Sequence, residues 1–468
     1  MARLRATVLG FAVAAASAAP PGHVAFAETA KAAPQPRSSA IVEVTTRVAA
    51  DLAASAKDAV VFAGPLQSDE GAPRATELVA KLGALVAGAL GPGTISRPEP
   101  VALSVAQSLG RKAKTIVYFN VEIARGELRL TADVYRPASN VWDRVRGPAS
   151  SPLAHAFASA RIDAEVRGYL APVPLVGTRI DRAAAEDRDV LAVACGDLDS
   201  DGSLELAVVS RRRVSLGRLR AGRFVPSYTA LLRDLSPVAP APLREPIAGA
   251  VIVPRAARPG FLDVGITDRA HGSRLDDKLR PLATLSGVPF ATPEGDACLS
   301  FQGTTVGASV GKCADSDPAS APVDLGPAAD ALASATIIGR DGAVRVVQAR
   351  HDPLTLELQL RASAETAVVP RSGAQVALAD LDGDGDPEVI STLDVLPSAS
   401  TPAARGAVDR APPQDAVVIS SWHPGRPPTQ RARVPVPSGV RAVAACPPDA
   451  PGPAPVVVAT AGELWIVR

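Results

Sequence analysis

Aromatic side chains make up only 3% of the 468 residues, methionine occurs once and asparagine is almost absent. The apolar fraction is ample for a core, but alanine, valine and leucine must supply it. Net charge is +1, which removes the electrostatic case for a nucleic-acid or anionic-membrane partner. There is no C-x-x-C and no H-E-x-x-H, and His23, His155, His271, His351 and His423 are scattered, so the zinc-site spacings are missing. The last four of these read as surface or capping residues. Arginine far outnumbers lysine, which marks a GC-rich genome more than a function.

What the chain does have is two copies of one acidic pattern, D-L-D-x-D-G-x-x-E, at residues 197–205 and 380–388. Each gathers at least four carboxylates into nine residues, an arrangement that repels itself unless a cation sits among them. The hard oxygen donors and the glycine at position six suit calcium. An EF-hand would need a bidentate glutamate at position twelve, where this chain has Val208 and Ser391; the closing acid comes at position nine instead, as Glu205 and Glu388. Short apolar, β-branched runs flank both loops, so each is expected to join two strands of a hairpin. A strand, this loop and a second strand resemble the FG-GAP or VCBS-type repeat of integrin-like β-propellers. That resemblance implies two structural calcium ions, one at Asp197, Asp199, Asp201 and Glu205 and one at Asp380, Asp382, Asp384 and Glu388, in two blades.

Residues 1–27 have the grammar of an export signal. Arg3 and Arg5 precede an apolar run at 6–19, and Ala25-Phe26-Ala27 forms an A-x-A cleavage site. The run is shorter than the roughly twenty residues that span a bilayer, no cysteine follows to carry a lipid anchor, and no later segment reads as a transmembrane helix. Residues 28–39 are rich in alanine, proline and lysine and read as a linker. From 40 to 172 helical and strand periods mix: helices at 41–56, 73–90 and 101–109, strands at 59–63, 115–123, 128–135 and 141–145, and a closing helix at 153–170. This order is similar to the N-terminal α/β domain of TolB-like periplasmic proteins.

From 176 to 468 strands recur, and about five blade-like units can be laid under one another, the first and fourth carrying the acidic loops. The fold class expected is therefore mainly β, a β-propeller following a small α/β domain. Cys298 and Cys313 lie within one irregular unit and are the pair expected to form a disulfide. Cys195 and Cys446 occupy matching positions of the first and last units; they read as buried thiols, a bond between them being the alternative. Gly307-Ala308-Ser309-Val310-Gly311 fits the nucleophile-elbow pattern, but the following residues read as a loop where that motif needs a helix. The basic run 211–213 reads as a solvated turn.

The function these features imply is an exported binding or scaffold protein of the periplasm or exterior, with a protein or polysaccharide ligand on the propeller loops. The rival is a propeller enzyme acting on a polysaccharide or other polymer, with carboxylates meeting across the ring. Export carries its own test. Mature protein is expected to begin at Glu28, and N-terminal sequencing of exported material that returned an intact Met1 would refute the cleavage site.

Overall fold

In the computed structural model, residues 39–137, 151–177, 179–236, 240–241, 246–255, 258–269, 271–292, 295–302, 305–312, 323–324, 329–393, 415–448 and 452–468 are described. The export signal, the strand expected at 141–145 and Cys313 lie outside them. Arg37–Arg468 forms one unit. Among the described residues no helix is long and apolar enough to cross a membrane.

The N-terminal part is a mixed sheet with helices. Strand Ala59–Ala63 runs parallel to both Ile95–Ser96 and Thr115–Ala124, and Gln67–Ser68 joins the latter's far end. Thr115–Ala124 turns back into Glu127–Tyr135 through Arg125 and Gly126. Both have positive φ, which matches the twist of a two-residue hairpin. On one face lie α1 (Ala40–Leu52) and α2 (Ala75–Leu90). Ile41, Val44, Val48 and Leu52 recur at helical spacing on α1, and Leu78, Leu82 and Val86 on α2; all are fully buried. At roughly 1.5–3 kcal/mol for each such side chain, this stripe holds the helices to the sheet. The opposite face buries Phe62, Ile116, Tyr118 and Tyr135 beside α3 (Leu103–Leu109).

One expectation is corrected here. Residues 153–170 form a strand, Ala154–Arg161, on the sheet edge, followed only by the single turn α4 (Ala164–Arg167). Alanine favours helices, but in Ala154-His-Ala-Phe-Ala-Ser-Ala the larger residues alternate with alanine. The strand register buries Ala156 and Ala158 and leaves His155 and Phe157 exposed.

The remainder is a ring of four-stranded units: four separate antiparallel sheets, and one eight-stranded sheet whose two halves, 180–184 with 442–467 and 190–231, meet at a single parallel pairing of Ala184 with Arg223. The innermost strands are Val190–Gly196, Ala248–Arg255, Val288–Thr292, Ala331–Ile338, Ser372–Ala379 and Ala442–Ala445. Each packs beside the next, and the last packs back on the first. This is the arrangement of a β-propeller, with six four-stranded units among the described residues where the sequence suggests about five. The stretch from Cys298 to Leu360, which reads as one irregular unit, spans parts of two sheets, 288–324 and 331–370.

Closure uses both ends of the ring sequence. The sixth sheet takes Ala442–Ala445, Val456–Ala459 and Glu463–Val467, then completes itself with Ile180–Ala184, which precedes the first sheet. Cys195 at the end of the first inner strand and Cys446 just past the sixth are joined by a disulfide, with Cα atoms 5.0 Å apart. The reading of two separate buried thiols is thereby replaced by its alternative, because ring closure sets the two inner strands side by side. His351 is also no surface residue. It is 2% exposed, its Nδ1 bonded to Asp330 and its Nε2 2.8 Å from the Ser372 carbonyl, so it staples the fourth sheet to the fifth.

Two predictions follow from these ties. The Cys195–Cys446 bridge closes a loop of 251 residues. In the chain-entropy account such a bridge stabilises by about 5 kcal/mol before any offset. The Cys195→Ala/Cys446→Ala double variant should unfold at clearly lower denaturant than wild type; coincident unfolding curves would remove the bridge from the account of stability.

For His351, burial alone would depress the imidazole, but the Asp330 hydrogen bond and charge, with the Ser372 carbonyl, outweigh it and hold the group above its ordinary 6.5. A raised histidine contributes stability fully below its unfolded value and loses it as pH rises through the folded one. The stability gap between wild type and His351→Gln should therefore shrink as pH rises above 6.5 and through the raised folded value, and a gap that widened would reverse the assignment.

Candidate metal centre

Each acidic loop links the first and second strands of its sheet. Residues 197–204 lie between Val190–Gly196 and Glu205–Ser210, and residues 380–387 between Ser372–Ala379 and Glu388–Leu393. The leucine at position two is buried beneath the loop, Leu198 with Leu216 and Leu262, Leu381 with Ile390 and Ile419. Its carbonyl accepts a bond from the next sheet, from the Gly260 amide to Leu198 and from the Ala454 amide to Leu381, both at 2.7 Å. The loops therefore tie neighbouring sheets together.

Above that leucine the backbone curls over the carboxylates. Positions four and six both have positive φ: Ser200 and Gly202 in one loop, Gly383 and Gly385 in the other. At position six the curl brings the amide onto the first aspartate: Gly202 N–H donates to Asp197 Oδ2 at 3.1 Å, and Gly385 N–H to Asp380 Oδ2 at 3.0 Å. The amides of Asp201 and Asp384 donate to Asp199 and Asp382. Those of Leu198 and Leu381 reach the closing glutamates at 2.8 and 2.7 Å. The two loops match bond for bond.

In the first loop, ligand oxygens of Asp197, Asp199 and Glu205 lie within 4.8 Å of one another; in the second, those of Asp380, Asp382 and Glu388 do. Charges at that separation repel by about 3 kcal/mol per pair at an effective dielectric near 20. Asp197 Oδ1 and Asp380 Oδ1 are buried with no hydrogen-bond partner among the described residues. A buried carboxylate oxygen without a donor is costly, and in both loops it is the same atom. An all-oxygen donor set with an uncommitted inward oxygen fits a hard divalent cation. The third aspartates stand apart from these clusters: Asp201 Oδ2 is 2.7 Å from Arg218 Nη2, and Asp384 Oδ2 is 2.6 Å from Arg340 Nη2.

The electrostatics of the two cages differ. Glu388 is fully buried and Asp382 is 6% exposed. Burial, reinforced by the neighbouring aspartates, pushes Asp380 up to about 7 and Glu388 up to about 9, and raises Asp382 as well. In the first loop Glu205 is raised by burial, whereas Asp201 is held down by its bond to Arg218. The Arg218 guanidinium in turn is held above its usual range, most of all by Asp201. A cavity of about 200 Å³ opens beside it, lined among others by Arg220, Ser227, Tyr228 and Asp277.

Arg218 and its counterpart Ser421, on the third strands of the two sheets, were not picked out by motif reading. The second loop also has neighbours from distant sequence. A Cβ on Gly385 would lie 2.9 Å from Ala164 Cβ at the start of α4 and 3.0 Å from the Arg340 amide nitrogen, so glycine is required there on packing as well as on φ. Arg340 Nε also holds the Asp384 carbonyl at 2.7 Å.

No family model and no curated protein matches the chain. Among solved structures, TolB from Acinetobacter baumannii is similar at 9% identity over 87% of this chain and 93% of that one, with a TM-score of 0.29. Hydrazine synthase of Kuenenia stuttgartiensis is similar at 15% identity over 54% and 68%, with a TM-score of 0.32. The Dos1 propeller is similar at 10% identity over 60% and 77%, with a TM-score of 0.29. At these scores the ring rests on its own strand pairings.

Proposed function

We propose that this chain is an exported, calcium-stabilised binding or scaffold protein, a six-bladed propeller of residues 176–468 carried behind a small α/β domain at 40–172. The observation that carries the reading is the paired acidic loops, each with a buried uncommitted aspartate oxygen and each bonded into the next sheet. Both features belong to a ring built for rigidity. A disulfide linking the first and last sheets supports export to an oxidising compartment, periplasmic or extracellular. The ligand surface is assigned to the loops on the faces of the ring, with a protein or polysaccharide as partner.

At the second loop Asp380, Asp382, Asp384 and Glu388 would hold the ion. The equivalent set at the first is Asp197, Asp199, Asp201 and Glu205, where Arg218 competes for the same oxygens. A bound cation supplies the positive charge that the buried carboxylates lack and draws the strand ends together. Binding to the folded state alone stabilises it by about 2.7 kcal/mol at a hundredfold excess over Kd. Magnesium is the poorer fit, since it demands octahedral geometry and releases water reluctantly.

Calorimetry tests this directly. The unfolding temperature should rise by several degrees between chelator and millimolar calcium. Asp382→Ala should lose that rise while unfolding near the wild-type temperature in chelator. An unfolding temperature indifferent to calcium would leave the loops as metal-free turns.

A further inference from the structure

The two loops match in sequence and in hydrogen bonding, yet the residue set across from the closing glutamate differs in kind. In the fifth sheet Glu388 pairs with Ser421 on the third strand, and the Ser421 hydroxyl donates to Glu388 Oε1 at 2.7 Å. In the first sheet the ladder ends with Gly217 opposite Leu206, and one step further brings Arg218 opposite Glu205. The same position is therefore a neutral hydroxyl in one sheet and a permanent cation in the other.

Arg218 does not lie on the rim of its loop. Its Nε is 2.6 Å from Glu205 Oε1, and its Nη2 is 3.1 Å from Asp199 Oδ2 and 2.7 Å from Asp201 Oδ2. One planar guanidinium thus takes oxygens from three of the four acids proposed to hold an ion. At the second loop the guanidinium that hydrogen-bonds an acid, among the described residues, is Arg340, from the hairpin of the fourth sheet, and it holds only the carbonyl and Oδ2 of Asp384. Among the described residues Asp380, Asp382 and Glu388 accept hydrogen bonds from backbone amides and the Ser421 hydroxyl, and Arg431 acts on Asp382 through its charge without a hydrogen bond. Calcium needs six to eight oxygens at 2.3–2.6 Å; Arg218 already takes one oxygen each of Glu205, Asp199 and Asp201 and brings a positive charge among them, so it opposes the ion both by occupying ligands and by repulsion.

We infer that Arg218 is the resident cation of the first loop, and that the chain binds one calcium ion, at the second loop, instead of the two its repeated motif implies. The inference rests on the calcium reading above and narrows it. One residue opposite the closing glutamate then decides whether a loop of this sequence is metal-dependent or carries its own charge. The two devices have different chemistry: a chelator strips the second loop and leaves the first untouched.

Exchanging the two residues tests this. Calcium bound per folded chain is counted by equilibrium dialysis and atomic emission, with folding checked by circular dichroism. Wild type should hold one ion, Arg218→Ser should hold two, and Ser421→Arg should hold none. Arg218→Gln, which keeps the length and a donor without the charge, should match Arg218→Ser and serves if the serine variant fails to fold. Two ions in wild type would overturn the inference, since Arg218 would then yield to calcium; so would an Arg218→Ser or Arg218→Gln variant that folds and still holds one. No calcium in wild type is a separate outcome that defeats the metal reading itself, and the count in unaltered protein decides without any variant.

Discussion

A ring of sheets is stable only if its last sheet finds a partner for its open edge. Here that partner is a strand from the other end of the ring sequence: Ile180–Ala184 completes a sheet whose other strands come from 442–467. An unpaired edge would expose a row of amides and carbonyls to other chains. The closing pairing covers the edge of Glu463–Val467, and the Cys195–Cys446 bond reinforces the seam at its inner end. Every inner strand depends on this closure, because each packs beside two neighbours only in a complete circle.

Within that circle the acidic loops solve a second problem, how to hold several negative charges close together. The first loop solves it with a guanidinium from its own sheet. The second concentrates charge beyond what its amide donors neutralise, so Asp380 and Glu388 hold protons far more tightly than exposed carboxylates do. A proton and a metal ion would compete there for the same oxygens. Matching backbones with unlike charge balance show that the loop sequence sets the shape and the third strand sets the electrostatics.

Much of this was legible in the sequence where a local rule applied. The acidic spacing located both loops, and alternation with β-branched residues located the strands around them. The first loop's partner was within reach too: Ser210 and Arg213 flank a two-residue turn, and counting back along that hairpin sets Arg218 opposite Glu205. No such count reaches Ser421, because a long Pro/Ala-rich insertion separates it from Glu388 and leaves the register undefined. The third sheet was not separated from the fourth for a related reason. Residues 288–324 are dominated by Gly, Ser, Ala and Thr, and the last strand has two residues, so alternation is faint there. The Ala154–Arg161 strand was hidden by the helical preference of alanine, which sheet packing overrode.

The position of Gly385 has a mechanical consequence. It abuts Ala164, the first residue of α4, and the preceding Asp163 both caps α4 through the Val166 amide and holds the Ala40 amide at the start of α1. Arg167 on the same turn reaches Glu70, and the side chain of Arg340 passes Gly168 on its way to Asp384. A continuous load path therefore runs from the second acidic loop through one helical turn to the first helix of the N-terminal sheet. The loop is therefore a seat for the N-terminal sheet: Gly385 abuts the turn whose Asp163 fixes the start of α1.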